Sequence, residues 1–505
     1  MRLKILFWKA RLFFYIAVAA ICVYFISRVI LFTFWELTLI ERFMALLLLL
    51  AESFLLVHAT GFILSVLRTK KPKHQVPMMQ KMQSHPQVAI VVAARHEPKH
   101  ILQETFTTLT NLNYPNKNIY LLDDSSDSEY IRQADEIAKE FGIKVFRREK
   151  RHGAKAGVIN DALKNMDEKY LAIFDSDQNA MPDFLERTIP VLEQDSNISF
   201  VQTPQFYTNI AASPVAEGAA MQQAIFYEGI CEGKNEDNAM FCCGTNVVFN
   251  VKALRDVDGF DETSVTEDFA TSVKLHLKGY RSVYYNHACV FGMAPETLYA
   301  YFRQQSRWAA GSIGVFRKII KHFFTAIRKL SPLQWWEYFL ASTFYFIGWV
   351  YFILMLSPVI YLIFGIPSYF MYPEVYIGTF IPYFVLMLMI FYTSMRDRYY
   401  KVRQIYYGLI LGYVSYPILM KAALFGLFGR KLKFQKTVKG KNKRLNSWQL
   451  LPFAILILFN FAAIVAGLYK FDSNPFAIGV NMFWAGLHLF LMSSIFHYNY
   501  VGKIK

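Results

Sequence analysis

Six apolar runs, each about long enough to cross a bilayer as a helix, govern what this chain can fold into. They lie at residues 12–35, 43–66, 338–364, 375–395, 449–469 and 476–497. A hydrocarbon core of ~30 Å needs about 20 apolar residues in helical form, so each run is expected to span a membrane. The first begins at Leu12 and exceeds the roughly 7–15 apolar residues of a cleaved leader. It reads as a retained helix, with Arg28 near its outer end able to snorkel toward the headgroups.

Charge gives these spans a direction. The chain carries 54 Lys and Arg against 38 Asp and Glu, a net charge of +16. The excess base sits beside the apolar runs, in 68–73, 317–329, 396–403 and 429–444. That is the placement of positive-inside charge rather than of a nucleic-acid surface, so nucleic acid is not expected as a partner and a lipid bilayer is. Both termini and the long central segment are then cytosolic in a multi-pass cell-membrane protein, with 36–42, 366–374 and 470–475 outside. A further apolar stretch, 405–428, has Pro417 and Lys421 inside it and basic residues on both flanks. It is expected to lie in the membrane interface rather than form a seventh span. The five cysteines, 22, 231, 242, 243 and 289, have no zinc or disulfide spacing.

More than 200 residues of soluble character separate the second and third runs. Short apolar strands are expected at 88–93, 119–123, 144–146, 170–175, 199–203 and 246–249. Helices are expected at about 99–112, 129–141, 155–165 and 182–193. Such alternation specifies an α/β domain with a mostly parallel, Rossmann-like sheet, whose ligands bind beyond the carboxyl ends of the strands. The expected organisation is therefore 1–72 with two membrane helices, 73–295 as the cytosolic α/β domain, 296–335 as amphipathic interface helices, and 336–505 with four membrane helices.

Acidic residues fall where that architecture would put a site. Asp123 and Asp124 follow one strand, Asp175 and Asp177 another. Two carboxylates in Asp-x-Asp spacing present hard oxygen ligands to one point, suited to Mg²⁺ or Mn²⁺ with a substrate phosphate. Thr266, Glu267 and Asp268 open a helix; they read either as a capped first turn or as a site in which Asp268 is a general base. Gln304, Arg307 and Trp308 share one helix face. Arg307 can clamp a pyrophosphate, Trp308 offers a flat wall to a sugar ring, and Gln304 can bond hydroxyls. An interfacial Trp anchor with an Arg on lipid phosphate is the simpler alternative.

The series Asp123, Asp175-x-Asp177, Thr266-Glu267-Asp268 and Gln304-x-x-Arg307-Trp308 resembles the D, DxD, TED, QxxRW motifs of processive family 2 glycosyltransferases, the group that includes bacterial cellulose synthases. The stretches "KAGVIN" 155–160, "VQTPQF" 201–206, "FCCGTN" 241–246 and "FQKTVKG" 434–440 add to the likeness. It implies a GT-A-type fold and an inverting transfer from a UDP-sugar, most readily UDP-glucose, to a growing polysaccharide that leaves through the chain's own membrane helices. It implies that Asp123 and Lys155 contact the nucleotide, that Asp175 and Asp177 hold nucleotide and metal, and that Asp268 is the base beside Thr266 and Glu267. Gln304, Arg307 and Trp308 would bind diphosphate and acceptor, with Cys242 and Gly244 near the acceptor end. Phe434, Thr437 and Lys439 would belong to a gating loop within 429–445. Accessory export or envelope subunits are compatible with this reading. Regulation by a C-terminal cyclic-di-GMP-binding barrel within the chain is not expected. Other readings are a hyaluronan- or chitin-type synthase using UDP-N-acetylglucosamine, a non-processive polyprenol-linked transferase, and a non-catalytic channel. Glu52, His58, Asn460, Asn481 and His488, inside the expected spans, would suit either a hydrated path or contacts between packed helices.

Overall fold

The computed structural model describes residues 2–68, 84–368, 372–396, 401–430 and 443–500. Among the described residues, ten strands lie in the central domain: β1 Val88–Ala94, β2 Lys117–Asp123, β3 Lys144–Phe146, β4 Tyr170–Asp175, β5 Asn179–Ala180, β6 Ile198–Gln202, β7 Phe206–Tyr207, β8 Val247–Asn250, β9 Arg281–Tyr284 and β10 Val290–Gly292. Seven form one sheet in the order β3-β2-β1-β4-β8-β6-β9. β1 runs parallel to β2 and β4, and β6 parallel to β9, while β8 is antiparallel to both of its neighbours. β5, β10 and β7 make a small second sheet.

The centre of the large sheet explains why these residues are strands. Val88 to Val92 are fully buried on both faces, the pattern of a strand covered by helices above and below. Ile90 and Val92 pack under the helix Lys99–Thr110 with Leu102, Phe106 and Leu109. Ala89 and Val91 face the other way, against Val158 and Ile159 of the helix Ala154–Leu163 and Phe249 of β8. Local signals set the ends of the connecting helices. Asp127 caps Ser128–Phe141 by accepting from the Glu129 N–H, and Gly142 ends that helix at φ +63°.

Among the described residues, six helical stretches are long and apolar enough to cross a membrane: Leu12–Phe34, Leu39–Arg68, Pro332–Phe364, Pro373–Tyr392, Ser447–Ser473 and Pro475–Tyr500. The third starts six residues earlier than the apolar run suggests. Ser331 and Gln334 form a capping box there with Pro332 in the first turn, and the stretch is interrupted by a 3-10 turn at Phe344–Phe346.

Two expectations change. Arg28 does not snorkel: it is 4% exposed, because Glu52 of the second span offers a carboxylate oxygen 2.7 Å from its Nε. Tyr24 also donates to Glu52, at 2.8 Å. Pairing inside the bundle replaces a reach to the surface. Likewise 405–428 is not one interface helix. It is two, Val402–Tyr413 and Tyr416–Leu427, bent by 52°. Pro417 has no N–H for the Tyr413 carbonyl, so the first helix cannot run on. Its first half docks on the central domain: Gln222 donates to the Gly408 carbonyl at 2.8 Å, and Arg403 pairs with Glu217 at 3.1 Å.

The central domain and the membrane helices share a core. Tyr207, Val215, Leu298 and Tyr301 cluster with Leu411, Tyr416, Phe453, Met492 and Ile495. The helix Leu298–Ala326 lies at this junction, and a Cβ at Gly426 would stand 2.6 Å from the Ala310 carbonyl oxygen on it.

Candidate active site

A cavity of about 300 Å³ opens at the carboxyl ends of β1, β2 and β4, the place where open α/β sheets bind ligands. The register puts Ala93 beside Asp175 and Ala94 beside Asp123. Asp175 and Asp177 therefore line the cavity next to the end of β1.

Lys155 sits in the first turn of Ala154–Leu163, after a backbone that turns through positive φ at Gly153 and Ala154. Its Nζ donates to the Asp175 carboxylate and, at 2.7 Å, to the Gly244 carbonyl. Burial alone would lower the Lys155 pKa, but Asp175, Glu267 and Asp268 outweigh it and hold the ammonium above its ordinary value. One cation thus joins the end of β4 to the loop 241–246.

That loop is pinned on every side. The buried Gln202 side chain donates to the Thr245 carbonyl at 2.8 Å and accepts from the Cys243 N–H at 2.8 Å. Thr245 accepts from the Asp175 N–H at 2.9 Å. Ser272 accepts from the Cys242 N–H and donates to the Asp268 carbonyl, both at 2.8 Å. Gly244 has φ +83°, and a Cβ there would stand 2.7 Å from Asp268 Oδ2. Only glycine lets the carboxylate and this backbone approach so closely.

Glu267 and Asp268 open the helix Glu267–Leu277. Thr266 makes no capping bond to that helix, and its buried hydroxyl has no hydrogen-bond partner. The plain capped-turn reading therefore fails. Burial raises the Asp268 pKa, and the neighbouring Glu267 charge adds to it, so the carboxyl is pushed up to about 7. Burial also raises Glu267, with Lys155 and Arg307 opposing. Desolvated carboxyls beside one another resist full ionisation, and such shifts in a cleft are what acid–base chemistry needs. Across the cavity, Gln304, Arg307 and Trp308 present their shared face from Leu298–Ala326. Gly311, on the same helix, leaves room for Thr266 to pack directly on it.

The cavity thus gathers Lys155, Asp175, Asp177, Gly244, Thr266, Glu267, Asp268, Gln304, Arg307 and Trp308. Two expected residues lie outside its lining. Asp123 is turned away and buried, accepting from Arg147 Nε at 2.8 Å and from the Ser125 N–H at 3.0 Å. Its neighbour Asp124 lines the cavity instead. Cys242 is buried behind the loop, and Cys243 faces the cavity. Phe434, Thr437 and Lys439 lie outside the described residues. The expected site residues did not include Arg95, Glu97, Arg151 or the 293–297 segment, all lining residues. Only a Pro-Glu-Thr before a helix start marked the last of these.

Among the described residues no group of three or more His, Cys, Asp and Glu side chains could hold a metal ion. Asp175 and Asp177 alone supply two hard oxygen donors at an open cavity. That suits a cation which takes its remaining oxygens from phosphate and water.

Comparison with known proteins agrees with this geometry. Residues 85–311 match the family described as Glycosyltransferase like family 2, and residues 256–406 match the family described as Cellulose synthase. The chain is 40% identical over 168 residues to a UDP-forming cellulose synthase of Dictyostelium discoideum, covering 32% of this chain and 16% of that protein. It is 25% identical over 514 residues to the UDP-forming cellulose synthase of Pseudomonas fluorescens, covering 95% of this chain and 66% of that one. The chain therefore spans less than two thirds of either relative's own length. A mannosyltransferase from Pyrobaculum calidifontis, solved with GDP-Man and Mn²⁺, superposes with a TM-score of 0.52 at 17% identity, over 76% of this chain and 100% of that one. This likeness bears on the fold, which is GT-A-like.

Proposed function

Because the chain belongs to the cellulose synthase-like glycosyltransferases of family 2, we propose that it is a processive, inverting enzyme. It would polymerise sugar from a UDP-sugar, most readily UDP-glucose, into a β-glucan and pass the product out between its own membrane helices. One observation carries this reading. A single cavity holds paired acids with a lysine, a carboxyl poised near neutrality, and a Gln-Arg-Trp face on a helix that packs into the membrane bundle.

In this reading the nucleotide lies along the carboxyl edge of the sheet, with its diphosphate toward β4. Asp175 and Asp177 would hold Mg²⁺ or Mn²⁺, which when bound neutralises charge on the departing diphosphate. Lys155 and Arg307 add fixed positive charge there, already oriented before the reaction. Asp268 takes the proton of the acceptor hydroxyl as that oxygen attacks the anomeric carbon from the face opposite the leaving group. A carboxyl raised to about 7 is a stronger base than an ordinary one and is still ionised enough to act. Trp308 stacks the acceptor sugar, and Gln304 bonds its hydroxyls. The basic loops beside the spans argue that the catalytic part and both termini face the cytosol.

The test offers the purified full chain several UDP-sugars with Mg²⁺ or Mn²⁺, then digests any polymer with linkage-specific glucanases. The expected product is a long chain made from UDP-glucose and cut by a β-glucanase. A single sugar added to a lipid carrier, or polymer only from UDP-N-acetylglucosamine, would refute the proposal.

A further inference from the structure

The helix that opens with Asp268 carries, two turns further on, a histidine outside the cavity lining. His276 is 2% exposed. It shares a helix face with Phe269 and Ser272, about 10 Å along the axis from Phe269. Two polar groups meet its ring. Nε2 lies 3.0 Å from Ser282 Oγ, and Nδ1 lies 2.5 Å from the Tyr338 hydroxyl.

The protons along this chain can be assigned. Ser282 spends its one hydroxyl proton on the Met240 carbonyl, at 2.7 Å, so toward His276 its oxygen can only accept. Nε2 therefore carries the ring proton. Burial lowers the His276 pKa to about 4, which keeps the ring neutral, so Nδ1 is a bare acceptor and Tyr338 must be the donor. The order runs from Tyr338 through His276 and Ser282 to the residue just before the loop 241–246.

Tyr338 grips both ends of the same helix face. Its ring lies 5.9 Å from Phe269, nearly parallel, and 5.8 Å from His276. Phe269 follows Asp268 directly, and its ring also meets Phe241 of the loop at 4.5 Å. Its N–H donates to Asp268 Oδ1 at 2.8 Å. Tyr338 is itself well seated on the helix Pro332–Thr343, the first part of the third span. Gln334 donates to the Asn238 carbonyl at 2.9 Å, Trp335 to the Ile327 carbonyl at 2.9 Å, and Glu337 pairs with buried Lys234 at 2.7 Å. The carboxylate at stake has little tolerance, since a Cβ on Gly244 would already stand 2.7 Å from Asp268 Oδ2. A fixed tyrosine, joined to both turns of the helix, sets how far Asp268 reaches into the cavity.

We propose that Tyr338, acting through His276 and Phe269, is a positioning residue that holds the Asp268 carboxylate in place from the base of the third membrane span. This rests on the proposed role of Asp268 as the base and names what keeps it aligned. The test measures kcat, UDP affinity and melting temperature for the purified full chain and for Tyr338→Phe, His276→Gln and His276→Asn, with rates taken well below each melting temperature. Tyr338→Phe keeps the ring on Phe269 and loses only the donor. It should lower kcat about tenfold, short of the roughly hundredfold cost of a full ångström of misplacement, with UDP affinity unchanged. His276→Gln puts its amide where Nε2 was, keeps Ser282 and drops Tyr338, so it should match Tyr338→Phe. His276→Asn puts an acceptor where Nδ1 was, keeps Tyr338 and should restore most of kcat. A lower melting temperature with kcat intact in both Tyr338→Phe and His276→Gln would make the contact purely structural and overturn the proposal. So would UDP affinity falling in step with kcat, or His276→Asn losing as much as His276→Gln. Should the unaltered chain make no polymer from any UDP-sugar, the proposed activity itself fails, which is a different result from a variant that works like its parent.

Discussion

Replacing Asp268 by asparagine should make the protein more stable while removing its activity. The carboxyl has an ordinary pKa of 3.8 and is pushed up to about 7 in the fold, first by burial and then by Glu267. The folded chain therefore holds this proton more tightly than the unfolded chain. Its contribution is fully favourable below pH 3.8 and declines as the pH climbs toward 7. Over that interval, at roughly 1.4 kcal/mol per pH unit, the ceiling on the cost of ionising Asp268 is about 4 kcal/mol. Asparagine has nearly the same shape and no charge, so Asp268→Asn should recover part of this. Thermal melting of both proteins in the same detergent, from about pH 4 to pH 8, checks it. The variant should melt higher at the alkaline end, and the gap should close toward the acid end. Sugar transfer should be lost at every pH. In the unaltered protein, kcat/KM should rise about tenfold per pH unit on the acid side and level off near pH 7. A variant that melts lower than its parent at the alkaline end, or one that still makes polymer, would refute the reasoning.

Three other outcomes are expected. Gly244→Ala combines a positive φ with a Cβ 2.7 Å from Asp268 Oδ2. It should cut kcat at least about a hundredfold through displacement of the carboxylate proposed as the base, with UDP affinity changed far less; equal losses in both would argue against the close approach as the cause. Lys318→Met removes the partner of Asp261, which Lys318 holds at 2.8 Å. Burial would raise Asp261, but Lys318 and Thr263 reverse this and keep it below its ordinary value. The pair's stabilisation is thus present above the ordinary carboxylate pKa and is lost as the pH falls through the depressed one. The variant should lose about 1–2 kcal/mol at neutral pH and show a flatter acid-side decline in melting temperature. Removing divalent cations with EDTA should abolish polymer formation, and added Mg²⁺ or Mn²⁺ should restore it; full activity in excess chelator would exclude the role given to Asp175 and Asp177.

Most of the sheet was legible because its strands are short apolar runs buried on both faces. The range expected at 170–175 coincides with β4, and the one at 88–93 falls one residue short of β1. The short strands β5, β7 and β10 carry too few residues to show any alternation. The run from Pro214 to Glu236 passes through a π-helical turn at Ile225–Cys231 and has no clean helical period to read. At the site, the segments singled out in the sequence meet in one cavity, but Asp124 and Cys243 line it where Asp123 and Cys242 were expected. Successive side chains at a strand end or in an extended loop point in opposite directions. Whether Asp123 or Asp124, Cys242 or Cys243, faces the cavity is thus a matter of register, which packing decides. Arg28 and Glu52 lie in different apolar runs, and their pairing depends on how two helices rotate against each other.

The cluster that joins Tyr207, Leu298 and Tyr301 to Leu411, Phe453 and Ile495 makes the two halves of this molecule inseparable. A fragment ending near residue 330 would carry every cavity-lining acid and still be a poor reagent, since the face it shares with the bundle would be laid bare to water as a greasy scar.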